Sequence, residues 1–414
     1  MFRVAVIGGQ PHAVRAAKEH DIEVVLVHEE GRYEDTFTEY CGRIMHAPIT
    51  DSDAILAALR PLHEQRPFDR VLSTSEDGAA ATGYVVEALG LPGNPARTSE
   101  LLKNKVLTRK TLADNGFDPV RYQLVRDEAE LQAFHESVGE RIVVKPVDGV
   151  ASANVHVVTG PAEAAVAWRK LTEAGCREAL AEEYLDGPAI SVESFSSAGR
   201  HLPIAITEYQ LNEHFVEVGI SVPSRVAVPW QRELRELTVR LLDAVGLVDG
   251  PSHTEFVLTR NGPRVLESHN RLAGGGVPEL VCRAYGVSLS ELFLTVPLGL
   301  AKLPDEAPAP TGGAAIKFFE PEPGVVTGFD GLDELDAPLL RLAPGVRIPG
   351  IPRLRELEDA EVGVLIQVNE GDEIPVIRAG WDRRMGYVIV TGRDGDDAVT
   401  RAADTARRVR FRRA

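Results

Sequence analysis

HTEFVLTRNGPRVLESHNRLAGGG, residues 253–276, reads as two short strands joined by a turn. Glu255 leads into the apolar run Phe256-Val257-Leu258, Asn261-Gly262-Pro263 supply the turn, and Val265-Leu266 delivers Glu267. If the two runs pair as a hairpin, the two carboxylates converge. Magnesium prefers one or two carboxylates plus phosphate oxygens and water, so such a pair suits a nucleotide-bound metal better than a closed protein cage. Four residues beyond Glu267, Arg271 offers a planar guanidinium to a phosphate or carboxylate. Gly274-Gly275-Gly276 then lets backbone approach a ligand closely. Alone, the stretch is equally compatible with solvated strand-edge charges and a plain turn, so the other segments decide.

The chain has 414 residues, 44% of them apolar, which suits an ordinary globular protein of roughly two to four domains. A formal charge of -17 argues against a nucleic-acid backbone as partner, and the Arg-rich end RRVRFRRA reads as a solvated helix terminus with a short tail. MFRVAVIGG enters a strand pattern directly, without signal-peptide architecture, and no apolar run reaches the ~18 residues needed to span a bilayer. The expectation is a cytoplasmic protein with no membrane contact. Cys41, Cys176 and Cys282 lie far apart with no CxxC pair, so neither a zinc site nor a disulfide framework is indicated.

Residues 1–95 alternate strand and helix: Val4–Ile7, a helix from about His12 to Glu19, Val24–Val27, then Arg70–Leu72. This predicts a small parallel α/β domain, with Gly8-Gly9 as a tight strand-to-helix turn. A helix over Ala79–Leu89 stops at Gly90, and LPGNPART forms a Pro-rich boundary. SELLKNKVLTRKTLADNGFDP, from Ser99, reads as a basic amphipathic helix closed by Asn115-Gly116 and Pro119. RIVVKPVDGVASANVHVV follows as strand, loop and strand, and EALAEEYLDGPAISVESF as two strands around the turn Asp186-Gly187-Pro188. LPDEAPAPTGG, residues 303–313, looks like a linker to a C-terminal α+β module.

Lys145 closes the β-branched run Ile142-Val143-Val144, which projects its ammonium towards the loop Asp148–Asn154, where it can bridge nucleotide phosphates. Ser152, Asn154 and the amides around Gly149 add donors for a terminal phosphate. Glu182-Glu183-Tyr184-Leu185 ends another strand and offers backbone groups to an adenine edge.

In this order the pieces resemble the ATP-grasp superfamily, in its carboxylate–amine ligase branch of L-amino-acid (dipeptide) ligases and carnosine synthase-like enzymes, with an architecture shared by biotin carboxylase. They are SEDGAAATGYVVEALGLPGNP, NKVLTRKTLADNG with Lys105, VVKPVDGVASANV with Lys145, EEYLDGPAISVE, HFVEVGISVP, the Glu255/Glu267/Arg271 block, and FFEPEPGVV. The resemblance implies an ATP-grasp fold in three parts: an N-terminal parallel α/β domain (1–95), an ATP-grasp domain (96–302) with a mobile lid at about 117–187, and a linker with C-terminal module (303–414). It also implies that Lys105 and Lys145 bind ATP phosphates, that Glu182 to Leu185 hold adenine, that Glu255 and Glu267 bind magnesium, with manganese the alternative ion, and that Arg271 holds an acyl phosphate. The implied activity is ADP-forming ligation of a carboxylic acid to an amine, both small molecules, and a homodimer is common among relatives.

The sequence departs from the family pattern at several positions. His269 stands at the usual Asn ligand position and Asn270 is the alternative ligand; imidazole is a poor partner for magnesium. Ala189 replaces a Glu common near the ribose, leaving Glu193 as a polar substitute or a surface strand residue. Glu217 and Gly219 keep a dipeptide-ligase pattern in which Ile220 replaces His. Glu217, Arg271, Gly274 and Gly275 are therefore expected to meet in the substrate pocket, with Gly275 leaving room in it. A biotin carboxylase-type carboxylase and a non-catalytic ATP-binding regulatory module are the rival readings.

Overall fold

The computed structural model describes residues 1–9, 11–31, 37–117, 119–149, 152–342, 357, 360–383 and 385–414. Phe2–Ile7 pairs in parallel with Ile22–His28 and Arg70–Leu72, and Arg43–His46 adds a fourth strand at the edge. Val4–Ile7 and Val24–Val27 are apolar at every position because packed side chains cover both faces of this sheet. The helix expected near His12–Glu19 comes as two pieces, Pro11–Val14 and Ala16–Glu19. Helix Glu76–Leu89 begins at Ser75, whose hydroxyl accepts the Gly78 N–H, and ends where Gly90 turns to φ +65°.

The single helix expected from Ser99 to the Asn115-Gly116 stop is two helices, Ala96–Lys103 and Lys105–Asp114. Asn104 breaks it: extended at φ -85°, ψ 105°, its side-chain oxygen accepts the N–H groups of Val106 and Leu107. The local cap outweighs the continuous amphipathic pattern, and it puts Lys105 at the first helical position.

Tyr122–Val125, Ala179–Glu183, Ile142–Pro146 and His156–Val158 form a separate four-stranded antiparallel sheet. Helices Glu128–Val138 and Pro161–Glu173 pack on it, and Val125, Leu131, Phe134, Ile142 and Leu171 give it a core of its own.

Among the described residues the largest sheet has nine strands, ordered Gly262–His269, Gly250–Thr259, Ala189–Ser197, Arg200–Leu211, Glu217–Val222, Gly313–Phe318, Gly386–Gly392, Val362–Ile366 and Leu339–Arg341. The hairpin expected around Asn261-Gly262 sits at one edge, with Gly262 at φ +104°. Helix Val228–Ala244 packs Leu234, Leu241 and Leu242 against Phe256 and Val265 of that hairpin. Strands beyond the 303–313 segment join the same sheet, Gly219 pairing with Lys317 and Ile220 with Ile316. The Arg-rich end differs from expectation: after helix Gly395–Arg408, Arg410–Arg413 pairs antiparallel with Gly324–Asp330. No helix among the described residues is long and apolar enough to cross a membrane.

Candidate active site

Strand register builds the site. Side chains two residues apart share a face of a strand, and Glu255 is paired with Glu267 across the hairpin and with Ser191 on its other side. One step along the same face, Glu193, His253 and His269 form a second row over three strands. One ligand atom each from Glu255, Glu267 and His269 lie within 4.8 Å of one another. Asn270 turns away: its amide donates to Ser99 Oγ at 2.9 Å. Of the two candidates for the third ligand, His269 alone faces the carboxylates.

Each cation expected to meet phosphate has a carboxylate partner, as burial of charge requires. Lys105 Nζ lies 3.0 Å from Glu267 Oε2 and donates to the Gly149 carbonyl at 2.8 Å. Burial lowers the affinity of Lys105 for its proton, but the charge of Glu267 outweighs it and raises the pKa. Burial likewise opposes the charge of Glu267, and Lys105 followed by His269 drives its pKa well below the carboxylate range. Lys145 Nζ lies 2.6 Å from Glu182 Oε2, and Arg109 Nε bonds the other oxygen of the same carboxylate. Burial raises the pKa of Glu182, but Arg109 and then Lys145 outweigh it and hold it at about 2. Arg109 also donates to the carbonyls of Val265, at 2.6 Å, and Leu266, so it ties the hairpin to the four-stranded sheet.

At the hinge, the amides of Glu183 and Tyr184 bond the carbonyls of Arg121 and Arg141, and the Glu183 carboxylate accepts the Arg121 N–H. The Leu185 N–H has no partner among the described residues. Arg141 lies over the Tyr184 ring, 3.9 Å from its centroid, and Phe215 packs against Tyr184 at 6.3 Å. Of the expected phosphate loop, Val150 and Ala151 fall outside the described residues. Ser152 and Asn154 both adopt positive φ, and the Ser152 hydroxyl donates to the Phe215 carbonyl.

Two expectations are corrected. Glu193 is not a surface strand residue: it is 1% exposed and holds His253 Nδ1 at 3.0 Å, with Ser191 donating to the same carboxylate. Its strand is central in the sheet, which buries the inward face. Gly275 leaves no room, since a Cβ there would stand 2.6 Å from Ile220 Cδ1; Ile220 is core, and the open position is Gly274. The Glu217 carboxylate pairs with Arg383 at 3.0 Å. Burial first, and then the charge of Glu255, raise the Glu217 pKa against the pull of Arg383.

Sequence reasoning missed four residues. Glu76, in the first turn of its helix, holds Arg271 NH2 at 2.8 Å and stands 3.5 Å from His269 Nδ1. Burial opposes the charge of Glu76, yet His269 and Arg271 keep its pKa low. Arg109 and Arg383 are the others that pair at long range. His253 bridges Glu193 and Glu255, with Nε2 at 2.9 Å from Glu255 Oε1; burial opposes its charge, but Glu193 leads the contacts that raise it to about 10. Two-residue alternation from Glu255 was the available signal for His253.

The paired carboxylates sit on the edge hairpin of the nine-stranded sheet, and Lys145 on the separate four-stranded one. Known families match in the same order: the ATP-grasp N-terminal domain at residues 14–93, the ATP-grasp domain at 138–279, and the L-amino acid ligase C-terminal domain 2 at 343–414. An uncharacterized protein of Sinorhizobium fredii is 26% identical over 399 residues, 94% of this chain and 77% of that protein. The L-arginine-specific L-amino acid ligase of Bacillus subtilis is 22% identical over 258 residues, 60% of this chain and 62% of the ligase, so the match spans under two thirds of that enzyme. The fold matches the crystal structure of L-amino acid ligase from Bacillus licheniformis with a TM-score of 0.80 at 21% identity, covering 100% of this chain and 99% of that one. The chain thus carries ATP-grasp domains followed by an L-amino acid ligase C-terminal domain, and its similar proteins include L-amino acid ligases.

Proposed function

We propose that this protein is an ATP-dependent, ADP-forming ligase that activates an amino acid or small acyl acid as an acyl phosphate and joins it to an amine, itself an amino acid. The observation that carries the reading is Lys105 paired with Glu267, whose ligand atoms cluster with those of Glu255 and His269, while the charge of Lys145 also acts on Glu267 and Glu76 holds Arg271 at the end of the hairpin. A carboxylate is a poor electrophile. Transfer of the γ-phosphoryl group makes it reactive, and the amine then displaces phosphate through a tetrahedral oxyanion. Lys105 and Lys145 neutralise phosphate charge from opposite sides, one from the large sheet's domain and one from the small sheet. Arg271, oriented by Glu76, faces the acyl phosphate, and the Leu185 N–H reads the adenine edge.

Glu255 and Glu267 suit a divalent ion by charge and spacing, and when bound the ion neutralises phosphate oxygens. In this reading residues 117–187, with their own core, form the lid that excludes water from the intermediate. The domain limits 1–95, 96–302 and 303–414, a homodimer and a cytoplasmic setting, where ATP is made available, belong to the same proposal.

The test is incubation with ATP, a divalent ion and pairs of amino acids, with condensed products followed by mass spectrometry. ADP, phosphate and an amide product are expected, and hydroxylamine should trap a hydroxamate of the acid. AMP among the products would point to adenylation instead, and ATP hydrolysis dependent on bicarbonate and biotin would mark a carboxylase. Lys145→Ala and Glu267→Gln should abolish turnover while leaving the fold intact, and Lys105→Ala should weaken nucleotide binding.

A further inference from the structure

We propose that Arg383 is a specificity residue: the open edge of its guanidinium reads a second carboxylate on the acid substrate, and Glu217 positions it there. This rests on the ligase reading above and specifies its acid. Arg383 comes from the C-terminal part of the chain and is held from several directions. Its Nε donates to the Gly380 carbonyl at 3.2 Å, while NH1 donates to the Glu217 carbonyl at 2.7 Å and pairs with Glu217 Oε2 at 3.0 Å. The face of the guanidinium lies over the Phe318 ring, 4.5 Å from its centroid. NH2 has no partner among the described residues, and neither has Glu217 Oε1. The Arg383 and Glu217 side chains keep 13% and 30% of their exposure, so the pair is a wall of a cleft and not a core contact.

The pair borders the site already described. Ile220, on the strand that Glu217 opens, abuts Gly275 in the turn after Arg271, and the charges of Glu255 and His253 act on Glu217. A guanidinium stays charged and presents its donors in a planar fork that matches a carboxylate. With Nε and NH1 already tied, the NH2 donors meet a ligand oxygen with little side-chain entropy left to lose. Glu217 alone would make this wall attract cations. Paired with Arg383 it carries no net charge, and a cationic side chain gains nothing there. A substrate with a second carboxylate gains a charge-assisted hydrogen bond.

In the experiment hydroxylamine replaces the amine, so that the hydroxamate formed with ATP and a divalent ion reports the acid alone. Aspartate, glutamate and glutarate are compared with their monoamides, which have nearly the same shape and one charge fewer. The expected result is a kcat/KM for at least one dicarboxylate about 30-fold above that of its monoamide, carried by KM, and loss of that preference in Arg383→Gln. A preference that survives in R383Q overturns the proposal, as does a wild-type preference for the monoamides. Should R383Q fail to fold, judged by circular dichroism, Arg383→Lys keeps the charge facing Glu217 but not the fork. It should lower the ratio about tenfold, and an unchanged ratio overturns the proposal. ADP release is followed in parallel over a broad set of acids. No ADP with any acid sinks the ligase reading itself, whereas ADP and hydroxamate formed without charge preference sink only the role of Arg383.

Discussion

Glu76 and Arg271 are 195 residues apart in the chain and 2.8 Å apart in the fold. The bond joins the first turn of a helix in the N-terminal parallel domain to the end of the hairpin that bears the paired carboxylates. The N-terminal domain thus contributes a charged wall to the active site.

Replacing Glu76 with Gln keeps the shape but removes the charge that orients Arg271 and His269. Turnover should fall about 10- to 100-fold with circular dichroism unchanged, as for other groups that orient a ligand from behind. Steady-state kinetics check this, and an unaltered kcat would mean that Arg271 needs no such partner.

Glu182→Gln leaves Arg109 and Lys145 facing a neutral amide in a buried site, which should cost about 3–5 kcal/mol. The carboxyl is held at about 2 in the folded protein against an ordinary value of 4.5. Its contribution is therefore complete above about pH 4.5 and is lost as pH falls towards 2. Urea unfolding should separate the wild type from the variant near neutrality, and the curves should converge in acid. A constant gap across that range is the result that counts against the assignment.

Glu193 and His253 should behave as one unit. Glu193→Gln and His253→Ala are each expected to destabilise the protein, while the double variant should fall short of their sum by about 1–3 kcal/mol. Denaturant titration of the four proteins gives the coupling directly, and simple additivity would separate the two residues.

Gly275→Ala meets two obstacles, a φ of +63° and the Ile220 methyl at 2.6 Å. A loss of about 1–2 kcal/mol is expected from the backbone alone. Adding Ile220→Val removes the clashing carbon, so G275A should cost less in the I220V background than in the wild type. Equal costs in both backgrounds would show that backbone strain is the whole effect.

Local pattern made much of this molecule legible. The hairpin followed from alternation around a Gly turn, and the parallel domain from uninterrupted apolar runs. Lys105, Lys145 and the paired carboxylates could be read because each sits at a strand or helix end with a recognisable neighbourhood. The ion-pair partners could not, because Glu76, Arg109 and Arg383 reach their targets across 195, 73 and 166 residues. Nothing local marks a glutamate in a helix's first turn as anything but a favourable dipole contact. The break at Asn104 shows the opposite failure: a periodic pattern continued across a residue whose side chain prefers to cap.

Lys105 has one further role. Its backbone N–H bonds the Val147 carbonyl, its ammonium bonds the Gly149 carbonyl, and that same ammonium is paired with Glu267 on the large sheet. A single residue thus rivets the loop after strand Ile142–Pro146 to the floor of the cleft. An outward swing of the small sheet would break these bonds. Asn104, by capping the helix at this one place, sets the position of the rivet.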